Sequence, residues 1–251
     1  MEYTKINADT WDLWAENGCE WSVPIRADEY AAVTADNYIV YLTPCVPVPH
    51  EWLGALCGKK LLGLASGGGQ QMPVFAKLGA DCTVFDASSR QLQSERDVAA
   101  REGYGIRIVQ GDMTEPLPFA DGSFDIVFHP VSNCYVRDVY PIWRECFRVL
   151  RPGGRLLAGF DNGVGFLFED DSLTVVNRLP FDPLSMPAER REAMIANGEG
   201  LQFSHTLEEQ LGGQLQAGFV LRALYEDRDR PGGAPIGEYM PQYMATLAVK
   251  P

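Results

Sequence analysis

The sequence predicts an α/β fold: a doubly wound, mostly parallel seven-stranded sheet with helices on both faces, an N-terminal helical segment, and an insertion after strand five acting as a cap. Three observations predict it. Apolar runs alternate with helical patterns from Lys60 to Phe160, a short apolar run enters the triple glycine Gly67-Gly68-Gly69, and an acidic residue closes or follows each of the next two strands. With 251 residues, 46% of them hydrophobic, the chain has material for a substantial core. Its composition divides it into an N-terminal helical lid at 1–49, a ligand-binding core at 50–160, a cap insertion at 161–204, and a C-terminal return to the core at 205–251.

Residues 8–36 carry Trp11, Trp14 and Trp21 among charged residues, the pattern of one or two amphipathic helices laid across another surface. Pro44, Pro47 and Pro49 break any helix and make the stretch from Thr43 an extended connector. The alternation then predicts strand 60–65, helix 70–79, strand 81–86, helix 89–102, strands 106–109 and 124–129, helix 138–150 and strand 154–160. Phe166, Phe168, Asp170, Asp171, Pro180, Pro183 and Pro187 interrupt that rhythm and mark the insertion. Helix 206–217 and strands near 219–226 and 241–249 restore it, the last pair being compatible with an antiparallel arrangement around the Pro231–Pro235 loop.

A net charge of −13 disfavours nucleic acid and anionic lipid as partners. The N-terminus lacks the basic-then-apolar order of a secretory signal and no run approaches the ~20 apolar residues of a membrane span, so a cytoplasmic protein with no membrane partner is expected. The six cysteines form no C-x-x-C pair, which predicts neither a metal site nor a disulfide framework. Oligomeric state has no signature in the sequence.

The glycine turn is a candidate ligand cradle, because a turn without side chains lets backbone N–H groups approach a ligand near a helix N-terminus. Asp86 ends the second strand 17 residues after Gly69, where a carboxylate can accept hydrogen bonds from both ribose hydroxyls of an adenosine. Capping the following helix is its competing role, given Ser88 and Ser89. Asp112 and Met113 follow strand three, placed to meet an exocyclic adenine amine and the adenine ring; singly they would read as a turn and a core residue.

Over roughly residues 59–160 these features resemble the class I S-adenosylmethionine-dependent methyltransferases, especially the small-molecule branch that includes quinone-biosynthesis enzymes. Leu61 to Gly69 matches the first motif, Asp86 the ribose acid, Gly111-Asp112-Met113 the adenine turn, and Glu145 to Leu157 the helix, turn and fifth strand. The resemblance implies S-adenosyl-L-methionine as cofactor, held by Ala65, Ser66, Gly67, Gly69, Gln71, Asp86, Ala87, Gln91, Asp112, Met113 and His129, with no metal. Two departures stand at the methionine end: Gly63 replaces the usual acid, and Ala65 the first glycine. That leaves the acid's role to Gln70, Gln71 or a residue of the N-terminal segment.

The activity implied is in-line methyl transfer to a small-molecule acceptor, which proximity and water exclusion can drive without a dedicated base. The resemblance puts the end of strand four beside the methyl group, so His129 is the candidate proton acceptor, with a pocket-lining structural role as its alternative. Asp161 is a weaker candidate, as is His205, which a solvent-exposed position before helix 206–217 would explain. The acceptor pocket is expected between the N-terminal aromatics and the insertion, although aromatics at helical spacing also serve as core. An acidic chain favours a neutral or cationic acceptor over a polyanion. Two rival functions remain: a non-catalytic S-adenosylmethionine or S-adenosylhomocysteine sensor, and a nicotinamide-dependent oxidoreductase, whose third fingerprint glycine would fall at Met72.

Overall fold

A computed structural model describes residues 3–168 and 172–251, leaving Asp170 and Asp171 of the acidic insertion outside the described residues. Seven strands form one sheet in the order β3-β2-β1-β4-β5-β7-β6: β1 (Lys60–Leu64), β2 (Asp81–Asp86), β3 (Arg107–Gln110), β4 (Phe124–His129), β5 (Leu150–Asp161), β6 (Val220–Asp227) and β7 (Tyr243–Val249). The first five run parallel, and β7 pairs antiparallel with both β5 and β6. Because β1 lies between β2 and β4, the chain reverses its winding there. Such a switch point opens a crevice at the carboxyl ends of the strands.

Alternation along each strand sends side chains to two cores. Leu61, Val84, Ile126 and Leu157 face one, and Leu62, Phe85, Val127 and Leu156 the other. The first is covered by α3 (His50–Leu53) through Trp52 and by α4 (Met72–Lys77) through Phe75; α5 (Ser89–Glu102) adds Leu92 and Val98 to the buried set. The second is covered by α6 (Tyr140–Val149), whose Ile142, Trp143 and Cys146 are fully buried.

Some boundaries differ from the expected ones for local reasons. The helix predicted over 70–79 begins at Met72, because Gln70 and Gln71 complete the turn, and Pro73 sits in its first turn, where a missing N–H costs nothing. The helix predicted over 206–217 is a π-turn at Glu208–Gly212 followed by α8 (Gly213–Ala217). The first helix, α1 (Tyr3–Glu16), starts earlier than the tryptophans imply, and α2 (Ala27–Ala32) follows it. Described residues of the insertion form short 3₁₀ turns and α7 (Ala188–Ala196).

The segment before α3 is tied to the sheet's carboxyl edge. A side chain at Gly159 would collide with the Leu42 carbonyl, so the absence of one in β5 lets that segment cross the strand closely. The Leu42 carbonyl also accepts from Val131 N–H (3.1 Å), just beyond β4.

Candidate active site

The glycine turn between β1 and α4 is held from within the protein. Ala65 N–H donates to the Phe85 carbonyl (2.8 Å), Gly67 N–H to Asp86 Oδ2 (2.9 Å), Gly68 N–H to the Gln91 carbonyl (2.9 Å) and Gly69 N–H to Glu95 Oε2 (3.0 Å). This corrects the expectation that the turn presents N–H groups to a ligand: these four donors are spent on β2 and α5. The glycines instead provide closeness, since a side chain at Gly67 would meet Asp86 and Gln91, and one at Gly69 would meet Val98. Ala65 adopts a left-handed backbone with φ 49°, the conformation that favours the glycine it replaces.

Two carboxylates flank the turn. Asp86 accepts from Gly67 N–H and, through Oδ1, from Ser88 N–H (2.9 Å); burial pushes its carboxyl up, opposed by those donors. It does not cap α5. That role belongs to Ser88, whose hydroxyl accepts from Gln91 N–H (3.0 Å), supported by Asp12 of α1, which accepts from both serine hydroxyls and Arg90 N–H. Glu95, fully buried in α5, grips Gly69 and accepts from the Tyr104 hydroxyl (3.0 Å); burial raises its carboxyl to about 7. Nothing in the sequence marked Glu95, whose partners come from the turn and from a residue beyond its own helix.

A cavity of about 1580 Å³ opens over the carboxyl edge. Ala65, Ser66, Gly67, Gln71, Asp86, Ala87, Gln91, Asp112 and Met113 all line it, whereas Gly69 and His129 do not. Among the described residues Ser66 Oγ and Gln91 Oε1 on this wall are buried with no hydrogen-bond partner, an arrangement in which a polar ligand would satisfy them. Asp112 Oδ1 accepts from Thr114 N–H and hydroxyl (both 2.8 Å), which holds the carboxyl at the edge of β3. Among the described residues no group of three or more His, Cys, Asp or Glu is arranged to hold a metal ion.

Of the candidates left for the missing acid's place, both glutamines bind the N-terminal segment. Gln71 Oε1 accepts from Tyr41 N–H (3.1 Å), and Gln70 Nε2 donates to the Val23 carbonyl (3.1 Å). Gln91 Nε2 reaches Ser22 Oγ (3.1 Å), so three side chains stitch that segment to the cradle.

His129 is fully buried, with ring nitrogens 3.0 Å from the Leu64 carbonyl and 2.8 Å from Asn133 Oδ1. Desolvation lowers its pKa and favours a neutral ring, against the two hydrogen bonds. Asn133 continues to Gln210 Oε1 (2.8 Å) in the π-turn, Gln214 binds the Gln210 carbonyl (3.1 Å), and Thr246 donates to Gln214 (3.1 Å), all with no exposed surface. The pocket-lining and proton-accepting expectations for His129 both give way to a place in this internal chain. His205 is likewise buried, not exposed, its Nε2 lying 3.1 and 3.0 Å from the Asn133 and Val136 carbonyls.

The same cavity has an aromatic lining. Trp11, Trp14 and Tyr135 meet edge to face with centroids 5.0, 5.5 and 6.3 Å apart, and Trp21, Phe166, Phe168 and Tyr243 also line the wall. Asn7 of α1 fastens this roof: its amide donates to the Tyr135 (3.0 Å) and Leu201 (2.9 Å) carbonyls and accepts from Leu201 N–H (2.7 Å). Trp14 Nε1 donates to the Gly198 carbonyl (2.9 Å). Asp161, at the end of β5, is buried on the same wall and accepts from Gly163 N–H (2.9 Å).

The chain resembles known proteins in sequence and in fold. Residues 62–158 match a family model described as a methyltransferase domain. An uncharacterized methyltransferase of Bacillus subtilis, YbaJ, is 41% identical over 250 residues, covering 97% of each chain. The ubiquinone/menaquinone biosynthesis C-methyltransferase UbiE of Hahella chejuensis is 38% identical over 109 residues, 41% of this chain and 43% of that one. An S-adenosylmethionine-dependent methyltransferase from Mesorhizobium loti shares the fold with TM-score 0.62 at 19% identity, covering 79% of this chain and 94% of its own. Similarity at 41% identity over nearly the whole length of the Bacillus protein shows that this chain belongs to the methyltransferases, on the fold it shares with the S-adenosylmethionine-dependent enzyme of Mesorhizobium loti.

Proposed function

We propose that the protein transfers a methyl group from S-adenosyl-L-methionine to a small-molecule acceptor enclosed between α1 and the segment after β5. One observation carries this reading: the acidic cradle around Asp86 and Asp112 and the aromatic group of Trp11, Trp14 and Tyr135 line a single cavity. Its volume exceeds the ~300–1,000 Å³ of an ordinary single-ligand site and leaves room for two molecules.

The residues fit the cofactor. Asp86 would hold the ribose, Asp112 and Met113 the adenine, and the unpartnered Ser66 Oγ and Gln91 Oε1 supply polar atoms on the same wall. When bound, S-adenosylmethionine supplies a methyl group already activated on a sulfonium. The protein's own work is then to align an acceptor and exclude water, which the Asn7-fastened roof does by covering the chamber. A roofed chamber in a chain of net charge −13 favours a small molecule over nucleic acid.

Calorimetric titration with S-adenosylhomocysteine tests the cradle. The Asp86→Ala variant is expected to bind at least about tenfold more weakly while remaining folded, as loss of a charged hydrogen-bond acceptor of about 1.5–3 kcal/mol implies. Unchanged affinity in a folded variant refutes the ribose assignment.

A further inference from the structure

The charged groups lining the cavity are unevenly placed. Asp86 and Asp112 belong to the cradle, and Arg26, exposed, is paired with Asp28 and Glu29. Arg230 is paired with Glu20 and lies over the Trp21 ring, 4.3 Å from its centroid. No lysine or histidine lines the cavity among the described residues. Glu20, Glu29 and Asp229 also line it but are not buried, which leaves Asp161 as the one charged group, among the described residues, buried beside the aromatic chamber, on the strand next to β4.

Asp161 accepts from Gly163 N–H through Oδ1 and from its own backbone N–H, and both donors are main-chain groups. Tyr243, opposite it across the β5–β7 register, also lines the cavity, as do Cys134 and Tyr135. His205, the basic group acting on Asp161, is committed to two backbone carbonyls. A buried carboxylate in a chamber of aromatic faces selects for a cation or an N–H donor and against an anion.

Resting on the methyl-transfer reading, we infer that the acceptor is an amine with an apolar body, its nitrogen held by Asp161 and its body lying against Trp11, Trp14 and Tyr135. The amine enters as an ammonium ion and gives one proton to the Asp161 carboxylate. The freed lone pair forms the new N–C bond as the C–S bond breaks; that electron pair stays on sulfur, yielding the neutral thioether and a methylated ammonium product. Burial favours this transfer by raising the Asp161 carboxyl to about 6, which leaves it charged at neutral pH yet a better proton acceptor than an exposed aspartate.

The test uses the full chain saturated with S-adenosylhomocysteine and titrated calorimetrically with 2-phenylethylamine and with phenylacetate. Phenylethylamine is expected to bind and phenylacetate not to. The Asp161→Asn variant should lose at least tenfold in phenylethylamine affinity with S-adenosylhomocysteine affinity kept within twofold. Wild-type affinity for the amine should fall as pH drops through about 6 and below, and Asp161→Asn should lack that dependence. Equal affinity for the two probes, no amine binding, an unaffected variant, or a pH profile shared by wild type and variant overturns the inference. Failure of the wild type to bind S-adenosylhomocysteine overturns the methyl-transfer reading instead.

Discussion

The Met72 sulfur occupies the space into which a side chain at Gly63 would project. Where the resemblance calls for an acid in β1, the chain instead packs the first residue of α4 against bare backbone, and Met72 is fully buried there. The loss of the acid and the presence of the methionine are one packing solution.

Restoring the acid should therefore harm the protein. Gly63→Ala is expected to cost about 1–3 kcal/mol through overpacking, and Gly63→Asp more, because its carboxylate would also be buried unpaired. Combining Gly63→Ala with Met72→Ala should cost less than the sum of the two single changes. A double-mutant cycle of denaturant midpoints measures the coupling, and strict additivity would contradict the packing argument.

Ala65 offers the opposite case. A non-glycine residue in the left-handed region is strained by roughly 1–2 kcal/mol, while glycine adds about 0.5–1 kcal/mol of unfolded-state entropy. Ala65→Gly should stabilise the fold by up to about 1 kcal/mol, a rise of a few degrees in Tm by scanning calorimetry.

Glu95 links the cradle to pH. Its carboxyl is raised to about 7 in the folded protein from 4.5, so the native state binds more protons than the unfolded state between those values. Stability contributed by this group is complete below pH 4.5 and is lost as pH rises through about 7, on the order of 3 kcal/mol in all. Glu95→Gln should flatten that part of the Tm profile, read by thermal melts across the window.

Asn7 should matter to the chamber more than to the cradle. Replacing it with leucine leaves the Leu201 N–H and two carbonyls unpaired, each worth about 1–3 kcal/mol if it stays buried. The roof is expected to loosen before the sheet does. Hydrogen exchange should show α1 and residues near Leu201 losing protection while β1 and β4 keep theirs.

Much of the molecule was legible in one dimension because its signals are local. Buried strands announce themselves as short apolar runs, the triple glycine and Asp86 sit at a spacing set by one β-turn-α unit, and Ser88 precedes its helix as a cap does. Nine of the eleven residues expected to hold the cofactor line the cavity for that reason. Two do not: Gly69 serves the packing of α5, and His129 turns inward to Leu64 and Asn133.

What the linear order of residues determined was the doubly wound sheet, the cradle residues at its carboxyl edge and the family, all encoded in periodicity and in motifs confined to neighbouring elements. Tertiary structure alone decided the rest: the commitment of the turn's N–H groups to Asp86 and Glu95, the occupation of the Gly63 space by Met72, and the clasp of α1 by Asn7 on Leu201, 194 residues away. Those outcomes depend on which distant atoms must share one volume or satisfy one buried donor, and neither constraint exists until the chain has closed on itself.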